Sequence, residues 1–406
     1  GAAQEGAQPA AAPSGVMPSG PMSKGPDDQH EAMKRVVKSI YAPTRYVFVA
    51  DRFSNFISVT DIVSGEHVET LNFSMRPHVM ELARDDAMLA VGSPEVSAIE
   101  FMNLRTRERR RVELPSPVFQ IFFVPQTNLV AVGLRDQVGM ISYKDFSVRI
   151  FPRRFDSDQR QTLINTYYSL LFSSFSQSFW VLDEDRPCIY HRYGGAEPLD
   201  APWKTIDLSR HIGSGSGLGI GVASPEDDLL AMTTDDGSEG LVYFPAQDKV
   251  LSTGPMRTVG STNEPMIMPY IDAYSKHVIF ADVTGNVALF DLVNGNGKPE
   301  RFRVNFSPRF VRTGWLESTW ILAGDKGIMF QSFKDPSDRK VVRFVPEVMN
   351  MWVTGDSKTA LYTLDEGAPA IYRFDIRTRE QLPPIRVRGV TMASMLRMGS
   401  NNSICY

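Results

Sequence analysis

Short β-rich runs broken by turns, an apolar strand that recurs eight times, and no long stretch of helical periodicity predict an all-β chain folded as a single β-propeller. The eight recurrences run from Asp51 to Asp365, with a mean spacing near 45 residues. Periods of about 40–50 residues with four strands per unit mark that architecture, since one four-stranded sheet buries its faces only against its neighbours. With 406 residues, 42% of them hydrophobic, the chain carries enough apolar side chains for a large core.

In chain order, residues 1–29 are Gly, Ala, Pro, Gln and Ser with almost no large apolar group, so they are expected to form a flexible arm. Residues 30–45 are expected to supply a short helix and a lead-in. Ala32, Met33, Val36 and Val37 alternate there with Lys34, Arg35 and Lys38, and Asp28 and Glu31 are spaced to cap the helix. The propeller is expected over 46–398 and a C-terminal tail over 399–406. The chain starts with Gly rather than Met, ahead of an Ala- and Pro-rich stretch. That pattern suggests removal of a signal peptide and an exported, periplasmic protein, or an expression scar. No apolar run approaches the roughly 18 residues of a membrane-crossing helix, so no transmembrane segment is expected.

The recurring second strands are Tyr46–Asp51, Met88–Gly92, Leu129–Gly133, Phe179–Asp183, Leu229–Asp235, His277–Asp282, Trp320–Gly324 and Ala360–Asp365. First strands precede seven of them: 78–82, 118–123, 167–171, 218–222, 265–269, 310–314 and 348–353. The first unit lacks one, and a matching run appears at the other end of the chain, Val390 to Leu396. This last strand is expected to complete the first blade and leave no open seam. Eight blades follow. Seven is the alternative, because the unit from about Asn165 to Arg210 is irregular. Third strands read at Phe56–Asp61, Gly240–Phe244, Asn286–Asp291 and Ala370–Asp375, followed in several units by turn residues such as Val63-Ser64-Gly65.

The stretch YVFVAD…ISVTDIVSGEHVETL, from Tyr46 to Leu71, resembles the YVTN-type repeat of bacterial surface-layer and lactonase-like propellers. HVIFADVTGNVALFDLVNG, from His277, resembles it more weakly. The resemblance extends over 46–398 as a fold signal, but only these two units match well. The Gly-His and Trp-Asp signatures of WD40-like blades are absent. The resemblance implies a propeller and assigns no catalysis, because this class is functionally broad. Quinone-dependent propeller dehydrogenases would require a tryptophan-rich motif in most blades and an adjacent cysteine pair; this chain has five tryptophans and two separated cysteines.

Known chemistries find little support. The six histidines are scattered and none forms HExxH; His78, at the start of a first strand, is the best metal candidate among them. The acidic clusters 85–86, 183–185, 227–228 and 235–236 fall where hairpin turns are expected, and turns favour Asp. Gly213 to Gly221 has glycine at every second position, which fits neither a dinucleotide nor a phosphate loop and reads as small residues allowing close strand approach. Cys188 and His191 are three apart in a strand and so point to opposite faces, and a disulfide from Cys188 to Cys405 is not expected. A net charge of −4 argues against a nucleic-acid partner.

What remains is surface. Two basic runs are the candidate partner-docking residues: Arg105, Arg107, Arg109, Arg110 and Arg111; and Arg149, Phe151, Arg153 and Arg154, continued by Arg160. The expected function is a non-enzymatic propeller, a protein-docking or scaffold subunit of a bacterial cell-envelope assembly, with no cofactor and with other proteins as partners. The alternatives are a metal- or cofactor-dependent enzyme of the lactonase or dehydrogenase propeller type, or a ligand-binding propeller.

Overall fold

A computed structural model describes residues 45–83, 87–152, 154–155, 169–195, 197–213, 215, 217–257, 265–343 and 346–398. The expected arm, most of the lead-in with its helix, Arg153, Arg160, Tyr167 and the tail with Cys405 lie outside the described residues.

The strands form eight antiparallel four-stranded sheets, and the fold is an eight-bladed β-propeller. The first sheet begins with β1 (Tyr46–Asp51), β2 (Phe56–Asp61) and β3 (His67–Asn72). The second holds β4 (Val79–Leu82), β5 (Met88–Gly92), β6 (Ala98–Asn103) and β7 (Arg109–Glu113). The third holds β8 (Val118–Phe123), β9 (Leu129–Leu134), β10 (Val138–Ser142) and β11 (Val148–Ile150). The fourth holds β12 (Leu170–Ser173), β13 (Ser178–Leu182), β14 (Cys188–Tyr193) and β15 (Lys204–Asp207), and the one-turn α1 (Ser209–Ile212) follows it. The fifth holds β16 (Leu218–Ala223), β17 (Leu230–Thr234), β18 (Gly240–Phe244) and β19 (Lys249–Ser252). The sixth holds β20 (Tyr270–Ile271), β21 (His277–Ala281), β22 (Asn286–Asp291) and β23 (Glu300–Arg303). The seventh holds β24 (Ser307–Gly314), β25 (Thr319–Asp325), β26 (Gly327–Ser332) and β27 (Arg339–Val342). The eighth holds β28 (Val348–Val353), β29 (Thr359–Leu364), β30 (Ala370–Asp375) and β31 (Gln381–Arg386). Finally β32 (Ala393–Met398) pairs with β1 and completes the first sheet. The irregular stretch near 165–210 is a full four-stranded sheet, which removes the seven-blade alternative.

Contacts divide the chain into two compact units. One takes the chain through Gln126, Arg312–Ile321 and the chain from Ile328; the other takes Thr127–Val311 and Leu322–Gly327. In the first unit, the two faces of β1 serve different cores. Tyr46, Phe48 and Ala50 pack with Met80, Leu89 and Val91 of the second sheet, whereas Val47 and Val49 pack with Leu361, Ile371 and Leu396. The second unit repeats the arrangement on β17: Leu230 and Met232 face Leu171 and Trp180 of the fourth sheet, and Ala231 faces Val278 and Phe280 of the sixth. A strand buried on both faces has no reason to alternate apolar with polar, which is why second strands read as continuous apolar runs. Each such Val, Leu or Phe contributes about 1.5–3 kcal/mol of burial.

Asp and Asn at strand ends explain the repeat. Asp61 accepts the amides of Val63 and Ser64, Asn103 those of Arg105 and Thr106, Asp291 those of Val293 and Asn294, and Asp375 that of Thr378. These are Asx turns in the first, second, sixth and eighth sheets, each tying a third strand to its fourth. The glycine-rich run behaves as expected: a Cβ on Gly217 would collide with the carbonyl of Glu184, and one on Gly221 with that of Ala231.

Several boundaries differ from expectation, among them the first strand of the seventh sheet, which begins at Ser307 rather than Phe310. The first strand of the sixth sheet is β20, preceded by a single bridge from Met266 to Asp282, rather than a continuous 265–269; Pro269 has no N–H to carry a ladder through. The closing strand starts at Ala393, not Val390. The buried carboxylate of Asp51 accepts the amides of Thr391 and Met392, both at 3.0 Å, and holds that segment as a turn. Among the described residues the first strand of the fourth sheet is Leu170–Ser173, which runs two residues past the expected end at Leu171; Tyr167 and Tyr168 lie outside the described residues.

Candidate functional site

The first basic run lies in the turn before β7 and along that strand. Arg107 is only 4% exposed; its Nε and Nη2 donate to the two oxygens of Glu69 on β3, at 3.0 and 2.7 Å. Arg109 donates to the carbonyl of Asn72, and Arg111 to Glu113. Arg105 is half-buried, while Arg110 and Arg111 are exposed. The second run is also partly structural. Phe151 is 1% exposed, packs on Phe179, and lies 4.3 Å from the Arg192 guanidinium and 5.3 Å from that of Arg149. Arg149 donates to the carbonyl of Gly194 and Arg154 to that of Asp200. Basic residues also recur on other fourth strands: Lys204 on β15, Lys249 on β19, Arg301 on β23, Arg339 on β27 and Arg386 on β31. A charged edge strand resists pairing with another chain, so much of this basicity protects the sheets.

Two of the histidines are held by partners close in sequence. His67 meets the hydroxyls of Ser58 and Thr70, and His277 pairs with Asp272 at 2.9 Å. At His78, burial and then the charge of Arg76 push the imidazole below its usual value, against the pull of Glu95. Among the described residues, no cluster of three or more His, Cys, Asp or Glu could hold a metal ion.

One grouping in the second unit imitates a catalytic triad. His191 Nε2 lies 3.1 Å from the Ser178 hydroxyl, which donates to Asp227 at 2.7 Å. In a working triad the carboxylate orients the histidine, and the histidine takes the serine proton. Here the serine proton already points at the carboxylate, the hydroxyl is fully buried, and burial pushes His191 toward its neutral form. The trio joins sheets instead of attacking a substrate.

An open pocket of about 590 Å³ lies within the first unit, where three loops meet. The β1–β2 loop supplies Arg52 and Phe53, the β3–β4 connection Met75 and Arg76, and the β5–β6 loop Glu95 and Val96. Arg76 grips Glu95 at 2.7 and 2.9 Å and donates to the carbonyl of Arg52. Burial would raise the Glu95 carboxyl, but Ser93, Arg76 and a backbone amide together hold it below the usual carboxylate range. Arg52 spends Nη1 on Asp365 at 3.1 Å, while its Nη2 is buried with no hydrogen-bond partner. Beside it Phe53 is 66% exposed. The Arg52 side chain as a whole is 23% exposed, so its guanidinium, with one nitrogen unpaired and an exposed aromatic ring alongside, suits a carboxylate that arrives with an apolar neighbour once the side chain turns outward. Sequence reasoning passed over these residues: Arg52 and Phe53 lie in a four-residue turn with no motif.

No family model and no curated protein matches the chain. Among solved structures, it is similar to the dihydro-heme d1 dehydrogenase NirN in complex with DHE, with a TM-score of 0.68 and 13% identity over 88% of this chain and 75% of that one. It is also similar to apo AztD from Citrobacter koseri (TM-score 0.54, 11% identity, 88% and 99% covered). A third neighbour is a functionally unknown protein from Desulfotomaculum acetoxidans DSM 771 (TM-score 0.53, 9% identity, 88% and 100% covered). At these identities the likeness is one of fold. The resemblance to YVTN-repeat and lactonase-like propellers holds at that level.

Proposed function

We propose that the chain is a non-catalytic propeller that docks other proteins, a scaffold subunit of a bacterial cell-envelope assembly. In this reading the pocket beside Phe53 seats a partner segment in which an acidic side chain precedes or follows an apolar one. The observation that supports it is the pairing of Arg52 Nη2, buried and without an acceptor, with the exposed ring of Phe53. A buried donor left unmade costs about 1–3 kcal/mol, and a partner's carboxylate would recover that. A large aromatic with an arginine alongside is the composition of an interface anchor. Arg110 and Arg111, exposed on β7, would add charge at a second patch. Placement in the envelope rests on the Ala- and Pro-rich composition of residues 1–29.

The test replaces Phe53 with a photocrosslinking residue in the full chain, expressed in its native host, and maps the crosslinked peptides. One stoichiometric envelope protein, joined through a segment containing Asp or Glu and lost on Arg52→Glu, is the expected result. Crosslinks spread over unrelated proteins, or unchanged by Arg52→Glu, would overturn the reading.

A further inference from the structure

Four neighbouring first strands in the first unit carry a second, unrelated constellation. Trp352 on β28 has the Arg397 guanidinium of β32 at 4.5 Å from its ring centre and that of Arg312, on β24, at 5.5 Å. Arg397 reaches Glu81 on β4 at 3.4 Å, and Arg312 donates to the carbonyl of Met351. We propose that this layer is a binding site for a small carboxylate anion, held by Arg397 and Arg312 beside the indole of Trp352, with Glu81 as its internal competitor.

The charge balance supports this. Two guanidinium groups face one carboxylate, so the layer is positive even with Glu81 ionised. Arg397 makes one long bond to Glu81 and one to its neighbouring carbonyl, Leu396, at 2.8 Å, which leaves most of its five N–H donors for a ligand. The site is open to small molecules, since Arg397 is 16% and Glu81 28% exposed. A carboxylate matches the planar fork of a guanidinium better than a spherical anion does. The indole fixes both guanidinium groups in place through cation–π contact before the ligand arrives.

Glu81 sets the pH response. Burial raises its carboxyl above the usual range, against the pull of Arg397 and Arg312, the charged groups that face it. The strands packed beside it, β5 and β8, carry no titratable residue. Protonating Glu81 frees Arg397, so a carboxylate that stays ionised should bind more tightly as pH falls through the Glu81 value and more weakly above it.

The experiment is equilibrium dialysis of the full chain with fumarate and with oxalate, from about pH 5.5 to about pH 8, where both ligands stay fully ionised and both Arg side chains stay charged. Indole fluorescence is followed in parallel. Saturable binding that tightens at the acid end is expected. Arg397→Gln should weaken it by about 10-fold to 100-fold, the loss of a charge-assisted pair. Glu81→Gln should tighten it and remove the pH dependence. Trp352→Phe should keep binding but lose the fluorescence response. Because Arg397 also ties β32 to β4, the unfolding midpoint is recorded for each variant; the Glu81→Gln result stands even if Arg397→Gln fails to fold. No saturable binding by the wild type, phosphate binding as tightly as the carboxylates, or a pH slope that survives in Glu81→Gln would overturn the proposal.

Discussion

Removing the Asp51 side chain tests what holds the closing strand. Asp51 ends β1, is fully buried, and accepts the amides of Thr391 and Met392 at 3.0 Å each, with the Ser54 hydroxyl on its other oxygen. The Arg52 amide, next in line, donates to the carbonyl of Met392 at 2.8 Å. A hydrogen bond to a charged group contributes about 1.5–3 kcal/mol net, and an orphaned buried amide costs about 1–3 kcal/mol. Asp51→Ala leaves two amides orphaned, so it should destabilise the protein by about 3–5 kcal/mol. Asp51→Asn keeps an accepting oxygen and should cost about 1–2 kcal/mol. Urea unfolding gives the magnitude, provided the slope against denaturant is unchanged. Amide exchange gives the location: β32 and the turn before it should lose protection first. A loss below about 1 kcal/mol for Asp51→Ala, or exchange accelerated equally in every sheet, would refute a role for Asp51 at the closure.

Further outcomes follow from the same structure. Arg107→Ala strands Glu69 in a half-buried site and should cost about 3–5 kcal/mol, while Arg110→Ala, exposed on the same segment, should stay within about 0.5 kcal/mol; paired urea curves separate them. Trp315, Leu316 and Glu317 take φ of 50°, 56° and 62°, one left-handed turn of non-glycine residues, with Leu316 81% exposed. Leu316→Gly should therefore stabilise by about 0.5–1 kcal/mol, strain relief outweighing the added chain entropy, and a lower melting temperature would show that the leucine makes contacts that matter. Burial, then the charges of Asp207 and Asp183, pushes the Cys188 thiol up to about 11. At about pH 8 its reaction with a disulfide reagent should be at least about 100-fold slower than that of a small thiol, and full-speed labelling before unfolding would contradict the burial.

The second strands and four of the third strands were legible because a sheet covered on both faces turns the requirement for burial into an unbroken apolar run, as in Met88 to Val91. Their ends were legible because Asp61, Asp291 and Asp375 close the next turn through their own side chains, a strictly local device. First strands are harder to read, since they mix buried with half-exposed positions, as in Ser307–Gly314, of which only 310–314 was expected. Their limits depend on distant partners: nothing near Val390 shows that Asp51 will hold Thr391 and Met392 out of the ladder. The partners of the basic runs are hidden for the same reason. Arg107 looks solvated until Glu69, 38 residues earlier, is brought against it, and Phe151 looks like an anchor until Phe179 and Arg192 enclose it.

The repeat itself offers a way to find functional positions, because a position that departs from the shared frame without helping the fold has another reason to exist. Asp51-Arg52-Phe53-Ser54-Asn55 aligns with Asp282-Val283-Thr284-Gly285-Asn286 of the sixth sheet. In the latter, Asp282 accepts the amides of Thr284 and Asn286 and the loop closes on itself. In the former, Asp51 holds the closing strand, and Arg52 and Phe53 project a cation and an aromatic ring where a turn needs only small residues. The double change Arg52→Val, Phe53→Thr gives the loop the sixth sheet's residues at these two positions. It removes one ion pair, to an Asp365 that is itself exposed, and such pairs contribute about 0–1 kcal/mol. If Arg52 and Phe53 are there for a partner, the double variant should unfold within about 1 kcal/mol of the wild type and lose crosslinking at the pocket. If they are there for the fold, its stability should drop well beyond that while any bound partner stays.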